Sequence, residues 1–344
     1  MKRSATASCL AAILGTGLAP QSAQAQEVTL TMHHFLAAQA NVPLHILDVW
    51  ADQVEEDSDG RIRIERFPSM QLGGTPAELY DQVVSGTVDL AWTIAGLTPG
   101  RFPSTEVFEL PFMVSDAGAA SYAYWSLYQE AMQDEFSEVK MIGTWVHGPG
   151  VIHSTDPVTR PSDLRGMQVR GPSRLTVQLL ESLGATPVGM PVAQVPESLS
   201  RGVIDGAVVP WEVTETLRLH ELVENHTEFE GDMIYTLTFV LVMHQPAYDA
   251  LPEDLQAVID QNSELEFSVF AGTTQQEYDD PGRALAAEMG NNIITIPAEE
   301  MAEWRALSEP IYDRWIADMA ERGKDGQALI DRARELMAEY KAAD

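Results

Sequence analysis

Residues Leu164–Trp211 read LRGMQVRGPSRLTVQLLESLGATPVGMPVAQVPESLSRGVIDGAVVPW. The run Met167-Gln168-Val169-Arg170 predicts a strand ending in a cation. A helix follows, then a second strand at Thr186–Gly189, another helix, and a third strand that enters the loop Val209–Trp211. Alternation of this kind builds a mainly parallel sheet covered by helices. An arginine at the mouth of one strand and a Pro-Trp loop at the mouth of another describe a cleft for an anion. A guanidinium is planar, stays charged at any relevant pH and matches a carboxylate with two parallel hydrogen bonds.

Working outward, the first half repeats the alternation. Val28–Phe35 reads as a buried strand, and the amphipathic stretch Ala40–Gly60 as a helix closed by Gly60. Arg61–Pro68, RIRIERFP, has strict period two and reads as a strand. Loop, helix and the strand Val88–Ile94 complete a β-α-β-α-β series, and Met141–Val146 opens a second one. The apolar run Ile234–His244 is long enough to cross back to the first series. A helix starts at Pro252, with Glu253 and Asp254 at the positive end of its dipole, and continues to Tyr278. Pro281 interrupts it as a kink. Helices at Ala298–Arg322 and Gly326–Lys341 finish the chain.

The N-terminus carries the marks of a secretory leader: Lys2 and Arg3, the apolar stretch Cys9–Leu18, and Ala23-Gln24-Ala25 as a cleavage site. The apolar stretch is too short, and too broken by Gly15 and Gly17, to span a membrane. Cys9 is the one cysteine, so the mature chain has neither disulfides nor thiol chemistry. The formal charge is −31, from 21 basic and 52 acidic residues. Such a polyanion repels nucleic acid and anionic membrane, and reads as a solvated acidic surface. It repels an anionic ligand too, so a carboxylate needs a local cation. No nucleophile elbow, phosphate-binding glycine loop or dinucleotide fingerprint occurs. His33, His34 and His45 lack metal-ligand spacing, and His220 and His226 lie six apart rather than four. No cofactor and no metal are expected.

These motifs, in this order, resemble the substrate-binding proteins of tripartite ATP-independent periplasmic (TRAP) transporters, the DctP-like family, from about Val28 to the last helices. In that family the arginine of a G-x-x-x-R strand, here Gly166–Arg170, clamps the carboxylate of an organic acid. Arg174, one helical turn on, reads as a solvated residue. The loop Val203–Trp211 is similar to the family's V-D-G-x-x-N-P-W, with Val209 in place of the asparagine that bonds ligand polar groups. Trp211 either walls the pocket or packs at the hinge. Against the sialic-acid-binding branch, Trp92 falls where a phenylalanine packs on ligand, Ile94 where a glutamate bonds hydroxyls, and His33 where an asparagine does the same. His153 either lines the cleft or is an ordinary strand-end histidine, and Tyr235 and Phe239 either line it or belong to the core.

The expectation is therefore an α/β, periplasmic-binding-protein-like chain: two α/β lobes around a ligand cleft, with hinge strands and a long bracing helix. Residues 1–25 form the leader, 26–147 and 236–275 the first lobe, and 148–235 and 276–344 the second. The resemblance implies a periplasmic receptor that captures a small carboxylate and delivers it to TRAP permease subunits, without entering the membrane itself. Loss of hydroxyl partners at Ile94, Val209 and His33 favours an aromatic monocarboxylate such as a benzoate, with a short branched or hydroxy acid second. The rival readings are a secreted carboxylate-processing enzyme and a ligand-sensing module for a membrane kinase.

Overall fold

The computed structural model describes residues 27–343; the leader lies outside them. Eleven strands are found among these residues: β1 Val28–His33, β2 Ile62–Phe67, β3 Leu90–Ile94, β4 Val139–Val146, β5 Gly150–Ser154, β6 Gln168–Gly171, β7 Thr186–Gly189, β8 Gly206–Pro210, β9 Asn225–Phe229, β10 Thr238–His244 and β11 Asn292–Ile296. They form a five-stranded sheet ordered β2-β1-β3-β10-β4 and a six-stranded sheet ordered β11-β9-β5-β8-β6-β7. The first is parallel across β2-β1-β3, and β10 runs antiparallel to both β3 and β4. In the second, β6 is parallel to β7 and β8, and β5 is antiparallel to β8 and β9. This is the mixed α/β, two-lobe architecture expected.

Local sequence explains the elements. In β2, Ile62 and Ile64 point into the core while Arg63 and Glu65 are exposed, the signature of a sheet wet on one face. Every residue of β3 is buried, as helices cover it on one side and the other lobe faces it on the other. Asp116 caps the helix Ala117–Ala131 through the Ala119 amide, 2.7 Å away.

Four sequence expectations change. Met141–Val146 does not open the second series: β4 lies at the edge of the first sheet, paired with β10. The crossing strand is shorter than Ile234–His244, because Met233 and Tyr235 bond outside the first sheet: Phe112 N–H donates to the Met233 carbonyl and Gly150 N–H, at the start of β5, to that of Tyr235. The long helix from Pro252 to Tyr278 is two helices, Glu253–Gln261 and Glu264–Glu277. Asn262 and Ser263 turn their side chains back on the carbonyls of Val258 and Ile259, which competes with helix continuation. Pro281 falls in the first turn of the next helix, Asp279–Glu288, where its missing N–H removes no bond; it starts a helix rather than kinking one. The last helix, Gly326–Ala343, packs on Ala117–Ala131, whereas Ala302–Glu321 packs on the helix Arg174–Ser182.

The chain passes between the sheets at 147–149, at 230–237 and near Tyr278. At the last of these, helix Asp279–Glu288 meets the turn Trp211–Val213 so closely that a Cβ on Gly282 would stand 2.2 Å from the Trp211 carbonyl oxygen. Backbone cannot yield as a flexible side chain does. Gly282→Ala is therefore expected to destabilise the protein by about 1–3 kcal/mol, read as a lower urea midpoint with an unchanged slope; a midpoint equal to wild type would show that the two segments are free to separate.

Candidate functional site

One cavity lies where the two sheets and two of the crossing segments converge. Its walls include Trp92 and Ile94 from β3, Phe239 from β10, Arg170 from β6 and Val209 from β8, with His147, Tyr235 and Glu212 from the connections. The space between these walls, open solvent included, is about 400 Å³.

Arg170 is 3% exposed. Its strand pairs it with Val188 on one side and Ala207 on the other. Asp205 sets the register of that strand, its carboxylate accepting from the Gln168 amide at 2.7 Å. The Arg170 Nε donates to the Met190 carbonyl at 3.0 Å and Nη1 to that of Val208 at 3.1 Å. Among the described residues no carboxylate pairs with it. Burial pulls its pKa down to about 10, so it remains cationic at neutral pH. A buried charge without a counterion is strongly disfavoured, and here only carbonyl dipoles offset it.

Four further buried polar atoms have no hydrogen-bond partner in the protein and belong to residues of the same wall: Trp92 Nε1, His147 Nε2, Tyr235 Oη and Glu212 Oε2. Buried polar groups are nearly always paired, so four orphans around one cavity mark a place where something else supplies partners. Tyr235 stands there because Gly150 has no side chain; a Cβ would lie 2.0 Å from the ring. Burial raises the Tyr235 phenol well above its usual range, and the nearby Arg170 charge opposes the shift. His147 donates from Nδ1 to the Gly148 carbonyl at 2.6 Å, and burial lowers its pKa to about 4. It is therefore neutral, with Nε2 as an acceptor. The rest of the wall is apolar. Trp92 stacks on Phe35 at 4.5 Å and lies parallel to Trp145 at 6.2 Å.

Six of the nine residues read from the sequence meet here: Arg170, Trp92, Val209, Ile94, Tyr235 and Phe239. Three do not. His33 is buried against Gln82, Nδ1 to Oε1 at 2.7 Å, and its Nε2 accepts from the Leu72 amide, so both ring nitrogens are used. His153 lies on the far side of β5, with Nδ1 2.7 Å from Nδ1 of His226 and Nε2 toward the Val209 carbonyl. Trp211 packs beside Val151 and Ala286 and donates to Glu228; of its two readings, packing is the one observed. Arg174 is not simply solvated, since it pairs with Glu106 and Asp318. The sequence reading missed His147, Glu212 and Gln275. Glu212 directly follows the Pro-Trp motif, which is the signal available for it. His147 has only its place at a strand end before Gly-Pro-Gly, and Gln275 has none.

Comparison with known proteins adds the family. The model for "Bacterial extracellular solute-binding protein, family 7" (DctP) matches residues 32–318. A TRAP solute-binding protein from Rhodoferax ferrireducens, solved with copurified benzoate, is 46% identical over 92% of this chain and 99% of its own, with a TM-score of 0.90. A marine metagenome TRAP solute-binding protein specific for aromatic acid ligands, solved with 3-hydroxybenzoate, is 40% identical over 92% and 99%, with a TM-score of 0.89. A solute-binding protein of Roseobacter denitrificans is 31% identical over 81% of each chain. With the arginine strand, the two-sheet fold and the cavity all agreeing, the chain belongs to the DctP family of extracellular solute-binding proteins, receptors of TRAP transporters rather than enzymes.

Proposed function

We propose that the chain is a periplasmic receptor for an aromatic monocarboxylate, which Arg170 holds by its carboxylate and which a TRAP permease then takes up. The observation that carries this reading is the buried guanidinium without a carboxylate partner among the described residues, at the wall of a cavity lined by Trp92, Phe239 and Ile94. Tyr235 Oη, close enough to feel the Arg170 charge, serves as a second donor to the same carboxylate. Trp92, Phe239 and Ile94 face the ring. The similar proteins solved with benzoate and 3-hydroxybenzoate point the same way. The proposed lobes are 26–147 with 236–275, and 148–235 with the segment from 276, the last helix riding on the first lobe.

Arg170→Ala is expected to weaken benzoate binding by at least about 30-fold, because a buried charge pair loses one member, while the thermal midpoint without ligand holds or rises. Arg170→Lys recovers part of the loss, since the two-pronged fork is gone. Titration calorimetry decides it, and unchanged affinity in Arg170→Ala would remove the arginine from the mechanism.

Every lining residue named above is buried, so ligand enters only if the lobes part. Contacts that hold them together across the cleft include Arg174 Nε to Glu106 at 3.1 Å, Asn41 Nδ2 to the Glu212 carbonyl at 2.6 Å and Gln275 Nε2 to Glu212 Oε1 at 2.8 Å. Addition of a tight-binding acid is expected to reduce the radius of gyration in solution scattering by a rigid-body approach of the lobes. Identical profiles with and without saturating ligand would contradict hinge closure.

A further inference from the structure

The polar atoms of the cavity divide by chemistry. Arg170, Trp92 Nε1 and Tyr235 Oη are donors that a carboxylate, which only accepts, satisfies. His147 Nε2 and Glu212 Oε2 remain, and neither receives anything from an unsubstituted benzoate. Glu212 is the more informative of the two because it is held in place from behind. Trp145 Nε1 donates to Gln275 Oε1 at 2.9 Å, and Gln275 Nε2 donates to Glu212 Oε1 at 2.8 Å. That relay fixes the carboxyl plane and leaves Oε2 buried and unpartnered at the cavity wall. The backbone is fixed as well, Glu212 N–H donating to Asp279 Oδ1 at 2.8 Å and its carbonyl accepting from Asn41.

Glu212 does not pair with Arg170. A ligand carboxylate held by Arg170 only accepts, so the donor that Glu212 Oε2 lacks has to come from another part of the bound acid.

We propose that Glu212 reads a hydroxyl group on the ring of the bound acid, at a position remote from the carboxylate, so that the preferred ligand is a 3- or 4-hydroxylated aromatic acid rather than benzoate itself. The proposal rests on the reading of the cavity as an aromatic-acid site. A hydroxyl both donates and accepts, so it pairs with Glu212 whether the carboxyl is ionised or protonated, and a ring C–H does neither. A site built to bond a hydroxyl rejects the analogue lacking it more strongly than a site of matching shape alone.

The titration of Glu212 supplies a second readout. Burial raises its pKa to about 7. The groups facing it are Gln275, Asp279 with Asp280 behind it, Asn41, and Tyr235, whose phenol is perturbed by Glu212 and Asp279 alike. None is a cation. Below about pH 7 the carboxyl is neutral and tolerates a plain ring; above it, an ionised carboxylate faces carbon beside an anionic ligand.

The test is calorimetry on the full mature chain with benzoate and its 2-, 3- and 4-hydroxy derivatives, for wild type, Glu212→Gln and Glu212→Leu, with Arg170→Ala as a control. In wild type, the 3- or 4-hydroxy acid is expected to bind at least about tenfold more tightly than benzoate. At pH 6, where the carboxyl is neutral, Glu212→Leu should bring that acid down to the benzoate level while benzoate and the 2-hydroxy acid change less than about threefold. Between pH 6 and 8.5, wild-type affinity for benzoate should fall, affinity for the preferred hydroxy acid should fall less, and the benzoate slope should vanish in Glu212→Gln, which keeps shape and leaves Asp279 in place. Equal losses for all four acids in Glu212→Leu, or no preference among them in wild type, would overturn the proposal while leaving the aromatic-acid receptor standing. Failure of all four to bind wild type would overturn both.

Discussion

A guanidinium taken out of water must be compensated by something, and Arg170 has only the carbonyls of Met190 and Val208. Much of the surrounding architecture can be understood from that constraint. The two carbonyls belong to the segments after β7 and within β8, the neighbours of β6 on either side, so the sheet itself holds the fork in place. Asp205 locks the register that puts Arg170 there. Among the described residues no carboxylate neutralises it, although the chain has 52 acidic residues. In a protein this acidic, a cation without a carboxylate partner is a feature to be explained, and on the proposed reading a ligand carboxylate explains it.

The same arrangement resolves a tension in the sequence. A strongly negative surface repels an organic anion at long range, but the Debye length at physiological ionic strength is only about 8 Å. The surface field fades over a distance comparable with one side chain, whereas attraction inside a dry cavity is barely screened. Acidic exterior and anion-binding interior are therefore compatible. The exterior governs solubility, and affinity is decided within the cavity.

What could be read in advance follows from what each signal encodes. Strands and helices announce themselves by periodicity, so the order of elements was legible, as was Arg170 through its strand-end motif. Partition between sheets was harder: β4 has the same apolar alternation whichever sheet receives it, and only its antiparallel partner β10, nearly a hundred residues later in the chain, decides. The break at Asn262–Ser263 depends on side-chain bonds to backbone that no periodicity reveals. The site shows the same division. Apolar residues on strands ending at the cleft, Trp92, Ile94 and Phe239, were found, but the acceptors His147 and Glu212 sit on connections whose direction is set by the fold. Loss of hydroxyl-reading groups at His33, Ile94 and Val209 predicts a pocket without hydroxyl partners. The structure instead presents polar atoms from other positions, His147, Glu212 and Tyr235. Substitutions at a few positions thus describe where the polar atoms have left, not where others have arrived.

On the proposed reading, burial of Arg170 also couples binding to closure. With the lobes apart, water reaches the guanidinium and no penalty arises. Closing without ligand strips that water and leaves the charge with two carbonyls, together with unpaired atoms on Trp92, His147, Tyr235 and Glu212. Closing around a carboxylate supplies the missing partner at the moment the water is lost. A ligand shifts a two-state equilibrium only by its difference in affinity for the two states, and here that difference is concentrated in groups that are hydrated when open and orphaned when closed. Contacts such as Arg174–Glu106 and Asn41–Glu212 favour the closed form with any occupant. It is the polar inventory of the cavity that makes closure conditional on the right acid, so that a permease sensing the closed form would respond to loaded receptor and ignore the rest.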